Sequence, residues 1–412
     1  LGTALASGLL TAAAIGSAPV GAQDPVTLDL WNFGAMGLEE LITQYGEESG
    51  VAVNYNSRGY DEHHEALLAA LATGEVPDIA AVEVSYSSKF KANPQNFVDL
   101  RQFGAEELEA DYVPWRWAQG VAADGSIIGI PTDLGGMAMC YRADLFEAAG
   151  LPTDPTEVAA LWPDWDAFIE TGKQFIAASD VAFIDSAYGT IFNLIQNQGS
   201  DFYYGSDGSL IYETNPQVQK AFNTALAGAE AGISANIKQF TPEWNAGMAN
   251  GDFAALGCPA WMMNYIQGQA PDTAGKWNIT SIPEVGGNWG GTQLTIPAAS
   301  DNHQAAYDMI KWLLSPENQL EVFKLHGNFP STPELYDTPE IQDFTNPFFS
   351  DAPVGKIYAE SAKAVQPIYE GAQQREIDRE FENTLIAVED GNVTPADAWS
   401  NALQNVSLAI QG

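Results

Sequence analysis

The chain has 412 residues, 46% of them hydrophobic and 17% charged, with 54 acidic residues against 16 basic ones and a formal net charge of −38. That length exceeds one ordinary core and suits two lobes of roughly 150–200 residues each. The charge excludes nucleic acid, whose phosphates need a basic patch, and argues in the same way against an anionic membrane surface.

The first stretch, "LGTALASGLLTAAAIGSAPVGAQ", is apolar, rich in small residues and uncharged. It reads as the apolar region of an export signal, with cleavage expected after Ala22, and residues 1–22 are set aside from the fold. "VTLDLWNF" alternates as a strand does, and "LEELITQYGEESG" has helical spacing with Gly50 as its stop. "VAVNYNS" is a second strand, "DEHHEALLAALATGE" a second helix and "PDIAAVEVS" a third strand. Strand–helix–strand–helix–strand predicts a parallel α/β sheet, whose ligands sit beyond the carboxyl ends of the strands. Those ends lead into "WNFG", "NSRGYD" and "VEVSYSS". "GSIIGIPTDLGGMAMCYRADLFEAAGLP" reads as two strands about a glycine break and a short helix. The middle of the chain is helix-rich, including a helix capped by Asn215 with Pro216 at its first position. "GDFAALGCPAWMMNYI" returns to strand and helix, "WNITSIPEV" and "TQLTIPA" are strands, and helices follow to the end.

Cys140 and Cys258 are the only cysteines. In an exported chain an even pair suggests a disulfide, with two buried free thiols as the alternative. His63 and His64 are adjacent, so a helix points them in different directions. Without the H-x-x-x-H spacing of a metal site they are expected on a solvated helix face. No metal site and no cofactor is expected. There is no G-x-S-x-G, phosphate-binding loop or paired-cysteine zinc pattern.

Five segments in fixed order, "GYDEHHEALLAALATGEVPDIAAVE", "GIPTDLGGMAMCYRADLFEAAGLP", "ALGCPAWMM", "WGGTQLTIPAAS" and "AAYDMIKWLLSPENQ", together resemble the sugar-binding proteins of bacterial ABC importers, family 1 of the extracellular solute-binding proteins. Maltose-binding protein is a distant member of that group. The stretch from "MAMCYRADLFEAAGLPTD" through "WPDWDAFIETGKQF" is most similar to binders of cello-oligosaccharide, xylo-oligosaccharide and N-acetylglucosamine type. The chain departs from many such relatives in showing no lipid-anchoring cysteine after the export segment.

The resemblance implies an α/β fold of the two-lobe periplasmic-binding-protein type II, with a hinge the chain crosses several times. It places the first lobe at about residues 24–131 with 290–327, and the second at about 132–289 with 328–412. Both cysteines then fall in the second lobe. The implied function is non-enzymatic binding of an oligosaccharide by a periplasmic or secreted monomer, which hands its ligand to the membrane subunits of an ABC permease. A polyamine or cation binder of the same fold and a secreted glycoside hydrolase are the rival readings. Several cleft acids facing an aromatic box would favour the first, and a carboxylate pair about 5–10 Å apart the second.

The candidate ligand-binding residues follow. Trp289 stands among glycines that supply no packing atoms, which suggests an indole exposed as a stacking platform, with Gly290 and Gly291 offering N–H groups. The resemblance puts a second stacking aromatic at Trp261. Loop positions at strand ends supply Asn32, Tyr60, Asp61, Glu83 and Asp133, although Asp61 is also placed to cap its helix. The resemblance turns Asn193 and Gln196 toward the cleft. Asn328 begins the last crossover, and Arg375 and Arg379 are unusual in so acidic a chain. A surface ion pair with adjacent acids is the alternative for these two arginines.

Overall fold

A computed structural model describes residues 26–411. The expected export segment therefore lies outside the described residues. Among the described residues no helix is long and apolar enough to cross a membrane.

The first sheet has the order β2-β1-β3-β10-β4. Its strands are β1 (Thr27–Phe33), β2 (Ala52–Arg58), β3 (Ile79–Glu83), β4 (Gly129–Pro131) and β10 (Thr292–Thr295). The strands β1, β2 and β3 run parallel, as the strand–helix alternation predicts. The interposed β10 is antiparallel to both β3 and β4, with Leu294 opposite Ala81 on one side and Ile130 on the other. Strands β3 and β10 are buried along their whole length, which requires cover on both faces; β3 meets it with the apolar run of residues 79–82, whereas β10 buries Gln293 and Thr295 by hydrogen-bonding them to Ser87 and to the Ala80 carbonyl. The helices Glu39–Ser49 and Tyr60–Thr73 end on Gly50 and Gly74 in left-handed geometry.

The second sheet has the order β7-β8-β6-β9, from Ala182–Ile184, Phe253–Pro259, Met137–Arg142 and Trp277–Thr280. One face carries an aromatic core that includes Phe146, Trp162, Trp165, Phe168 and Phe183. The C-terminal helices Gln374–Glu389 and Pro395–Ala409 join the same core through Ile377, Phe381 and Val406. The opposite face packs Trp244, Trp277, Met263 and Tyr358. Cys140 and Cys258 lie on the adjacent strands β6 and β8, where Ala138 pairs with Cys258 and Cys140 with Leu256. This diagonal places their Cα atoms 5.3 Å apart, and they form a disulfide, fully buried within the second lobe.

Three stretches of chain join the two sheets. The first runs from β4 through β5 (Asp133–Leu134) to β6, the second from β9 to β10, and the third enters through β11 (Phe329–Pro330). β5 and β11 pair antiparallel, and Gly136 bridges Asn288. The waist is so narrow that a Cβ on Gly135 would sit 1.9 Å from the carbonyl oxygen of Trp289, so only glycine fits.

The disulfide closes a separation of 118 residues. The loop-entropy account puts its contribution at about 4–5 kcal/mol when strain is neglected. Replacing both cysteines by serine is expected to lower unfolding free energy by up to that amount while leaving the sheet register intact. Chemical denaturation of the oxidised protein beside the double variant checks it.

Candidate functional site

The carboxyl end of β3 is the first wall of the site. Glu83 ends the strand and caps the helix Val84–Lys91 by accepting the Ser85 N–H. The same oxygen, Oε2, accepts the hydroxyls of Tyr60 and Ser85, each at 2.6 Å. No protein donor reaches Oε1 among the described residues. A Cβ on Gly290 would lie 3.7 Å from that oxygen and 3.4 Å from the indole nitrogen of Trp261, so this glycine stands between the strand end and the indole. Gly290 and Gly291 both have positive φ, 83° and 113°, and neither N–H finds a protein acceptor among the described residues. Burial pushes the Glu83 carboxyl above its usual range.

The histidines beneath Glu83 correct the expectation of a solvated helix face. Both are fully buried. His64 accepts the Glu83 N–H at Nε2 (3.1 Å), so its Nδ1 carries the proton and donates to the Tyr60 carbonyl (2.7 Å). Its ring stacks on Tyr86 at 4.0 Å. His63 meets the Ala81 carbonyl at 2.7 Å. The aromatic rings of Phe33, Tyr60 and Tyr86 replace the water that two adjacent histidines suggest from sequence alone. Burial pushes His64 down to about 3 and lowers His63 as well, so both are neutral struts for the strand end that presents Glu83.

The second lobe contributes the indoles. Trp261 and Trp289 meet edge to face, with centroids 5.5 Å apart. The Trp261 Nε1–H donates to the Trp289 carbonyl at 3.0 Å, and the Trp289 N–H donates to Gly135 at 2.8 Å. Trp289 is half-buried: its glycine neighbours do not cover it, but residues from both faces of the second-lobe sheet do on one side. Asn193 and Gln196 lie on a short helix after the π-helical turn Ala187–Phe192. Their side-chain oxygens are taken by Asn197 and by the Tyr203 hydroxyl.

Other expected positions are held by hydrogen bonds within the protein. Asn32 is wholly buried; its amide donates to Gly34 and Tyr55 and tightens the turn after β1. Asp133 and Asn328 meet each other at the waist. The Asp133 carboxylate accepts the Thr132 hydroxyl (2.7 Å), the Thr292 N–H (3.2 Å) and the Asn328 amide (2.9 Å). Arg116, not singled out by sequence, is fully buried beside them. It donates to the Asp133 carbonyl, to Gln119 and to the Thr292 carbonyl. Its signal was faint, a lone arginine between two tryptophans in "PWRWA".

Asp61 does not cap its helix, whose cap position is Gly59. It faces the second lobe instead. Arg375, from the C-terminal helix, approaches its carboxylate at 3.4 and 3.5 Å and lies over the Tyr60 ring. Lys89 reaches Glu376 at 3.1 Å, and Ser88 donates to the Glu370 carbonyl. Burial opposes the Asp61 charge, but the Tyr86 hydroxyl and the Arg375 and Arg379 guanidiniums outweigh it and hold this carboxyl low. Burial, then the neighbouring Glu83 and Asp378, push Glu370 up to about 8, and burial first raises Asp378 to about 6. The Arg375 and Lys89 pairs are thus made between lobes and not with adjacent acids on the same helix, whereas Arg379 acts on Asp61 only through its charge. Among the described residues no cluster of histidine, cysteine and carboxylate side chains is arranged to hold a metal ion.

A family model described as bacterial extracellular solute-binding protein matches residues 40–348. An arabinooligosaccharide-binding protein of Halalkalibacterium halodurans is 24% identical, over 77% of this chain and 74% of its own. A lactose-binding protein of Rhizobium radiobacter is also 24% identical, over 97% and 96%. A crystal structure of an extracellular solute-binding protein of family 1 superposes with a TM-score of 0.82 at 35% identity, covering 93% of this chain and all of that one.

Two outcomes follow from this geometry. Each lobe-to-lobe ion pair is partly exposed and worth about 0.2–1 kcal/mol. Raising salt from about 0.1 to about 1 M shortens the Debye length from about 10 to about 3 Å. Small-angle scattering should therefore show the radius of gyration growing slightly with salt. A Lys89→Gln/Arg375→Gln variant should start larger and ignore salt, and an unchanged variant would make these pairs incidental.

The second outcome concerns pH. The folded His64 pKa of about 3 lies below the unfolded value of about 6.5. As pH falls through that window the unfolded chain takes up a proton the folded one refuses, so stability drops by about 1.4 kcal/mol per unit. Glu370 acts oppositely, since its raised pKa gives stability that is lost as pH rises from about 4.5 to about 8. His64→Leu should flatten the acid limb of the denaturation midpoint, and Glu370→Gln the alkaline limb.

Proposed function

The chain belongs to the bacterial extracellular solute-binding proteins, and on that premise we propose that it binds an oligosaccharide outside the cytoplasm and delivers it to the permease of an ATP-driven importer. The observation that carries this reading is the apposition of the Trp261–Trp289 pair with the Glu83–Gly290 edge across the space between the lobes. A pyranose has an apolar C–H face and a polar hydroxyl rim. An indole face matches the first, and a carboxyl oxygen with two unpaired backbone N–H groups matches the second. The relatives named for arabinooligosaccharide and lactose support a ligand of this class.

The site works by binding alone. Ligand touching both lobes adds contacts that exist only when they are closed, so it shifts the population toward the closed form, which the permease then recognises. The chain acts as a monomer on the outer side of the membrane. The rival amine reading draws on the cleft acids. However, burial and the neighbouring Glu83 and Asp378 raise the Glu370 carboxyl, which weakens it as a partner for a cation.

The test is a thermal-shift panel of mono- and oligosaccharides followed by calorimetry, since a ligand of the folded state raises the midpoint by mass action. Trp289→Ala and Trp261→Ala should each lose about ten- to a hundredfold in affinity, by analogy with aromatic stacking of about 1–3 kcal/mol elsewhere. Trp289→Ala should also cost less stability than the roughly 3–5 kcal/mol of a fully buried tryptophan. A panel without any shift, or both variants binding as the wild type does, would overturn the reading.

A further inference from the structure

The aromatic wall does not stop at Trp261. Phe240 stacks on it with centroids 6.2 Å apart and planes inclined by 30°. It leaves half of its surface, 50%, in solvent. Its backbone has φ of 61°, a left-handed conformation that is unfavourable for a bulky residue and persists only where the surroundings impose it.

Those surroundings converge on one buried carboxylate. Asp185 follows β7 and is fully buried. Its Oδ2 accepts the Gln239 amide at 2.7 Å and the Trp244 indole N–H at 2.9 Å, which flank Phe240 on either side in sequence. Its Oδ1 accepts Ser186 N–H and the Thr190 hydroxyl, and its carbonyl accepts Ile237 N–H. The preceding Lys238 pairs with Glu382 at 3.2 Å. The loop is therefore tied down on both sides of an exposed phenyl ring. One side of the ring packs on Trp244 at 5.1 Å and edge-on to Tyr265 at 5.6 Å, and the other half of its surface stays in solvent. Strands β7 and β8 run parallel, and β8 ends at Pro259, two residues before the indole that reaches Gly290. Phe240 thus sits at the same strand-end edge, one ring further from Gly290 and Glu83.

We propose that Phe240 is an outer stacking platform that takes a sugar ring beyond the one facing Trp261 and Trp289, so that it sets preference for ligand length. This rests on the sugar reading above. Longer oligosaccharides gain affinity from Phe240; disaccharides, which fill the inner site, do not.

The experiment is calorimetry of wild type, Phe240→Ala and Phe240→Trp with cello-, xylo- and arabino-oligosaccharides, comparing disaccharides with pentasaccharides. Wild type should favour the pentasaccharide of the series it binds. Phe240→Ala should lose about tenfold for the pentasaccharide and stay within about twofold for the disaccharide, while Phe240→Trp keeps the preference. Equal loss at both lengths would make Phe240 a support of the inner site and overturn the proposal. So would an undiminished length preference in Phe240→Ala, or no preference in the wild type. A wild type that binds none of these sugars at any length would instead remove the sugar reading on which the proposal stands.

Discussion

Everything in this molecule depends on how one carboxylate satisfies three passing strands of chain. Each crossing between the lobes brings polar groups into a waist too narrow for water to serve them all, and an unpaired buried donor costs about 1–3 kcal/mol. Asp133 collects the Thr132 hydroxyl from its own crossing, the Thr292 N–H from the second and the Asn328 amide from the third. Arg116 binds the carbonyls beside it. The knot fixes where the crossings lie without fixing the lobes at their far edge. That edge is left to a few weak contacts, Lys89 with Glu376 and Arg375 with Asp61. A firm pivot and a loosely held rim are what a ligand-driven closure requires. The rim draws on two of only 16 basic residues, which are scarce enough for their placement to carry meaning.

Much of the fold is legible in sequence because its signals are local. Period-two alternation marks β1, the glycines at 50 and 74 stop their helices, and Asn215 with Pro216 starts another. The order of five motifs carries the two-lobe architecture. Local signals fail where a partner comes from far along the chain. Adjacent histidines in a helix say nothing of Tyr86 or of a strand end needing support. Asp133 and Asn328, separated by 195 residues, read separately as ligand groups because nothing in either neighbourhood announces the other. Asn32 carries a similar ambiguity: a loop amide at a strand end suits a ligand or its own turn, and here its N–H groups go to Gly34 and Tyr55 while its carbonyl oxygen meets no partner among the described residues.

Trp289 shows the limit from the other direction. The glycines around it do leave it unpacked by its neighbours, but burial is not a property of neighbours in sequence. One side rests on residues contributed by both faces of the second sheet. The same reasoning applies to Phe240, whose "KQFTPEW" context suggests only a helix cap at Thr241. The buried Asp185, 55 positions before it, gives the loop its shape.

The position of β10 bears on how the protein is made. It lies between β3 and β4, yet it follows them by well over a hundred residues, most of which build the other lobe. Until Thr292–Thr295 has emerged from the ribosome, β3 and β4 each present an open edge with no partner, and the first sheet exists only in part. The amino-terminal lobe therefore cannot finish before the second is largely synthesised, and a fragment ending at the first crossing has no complete sheet to form. A chain arranged this way stays unfinished for most of its translation, the state in which a polypeptide can still be threaded through a narrow channel.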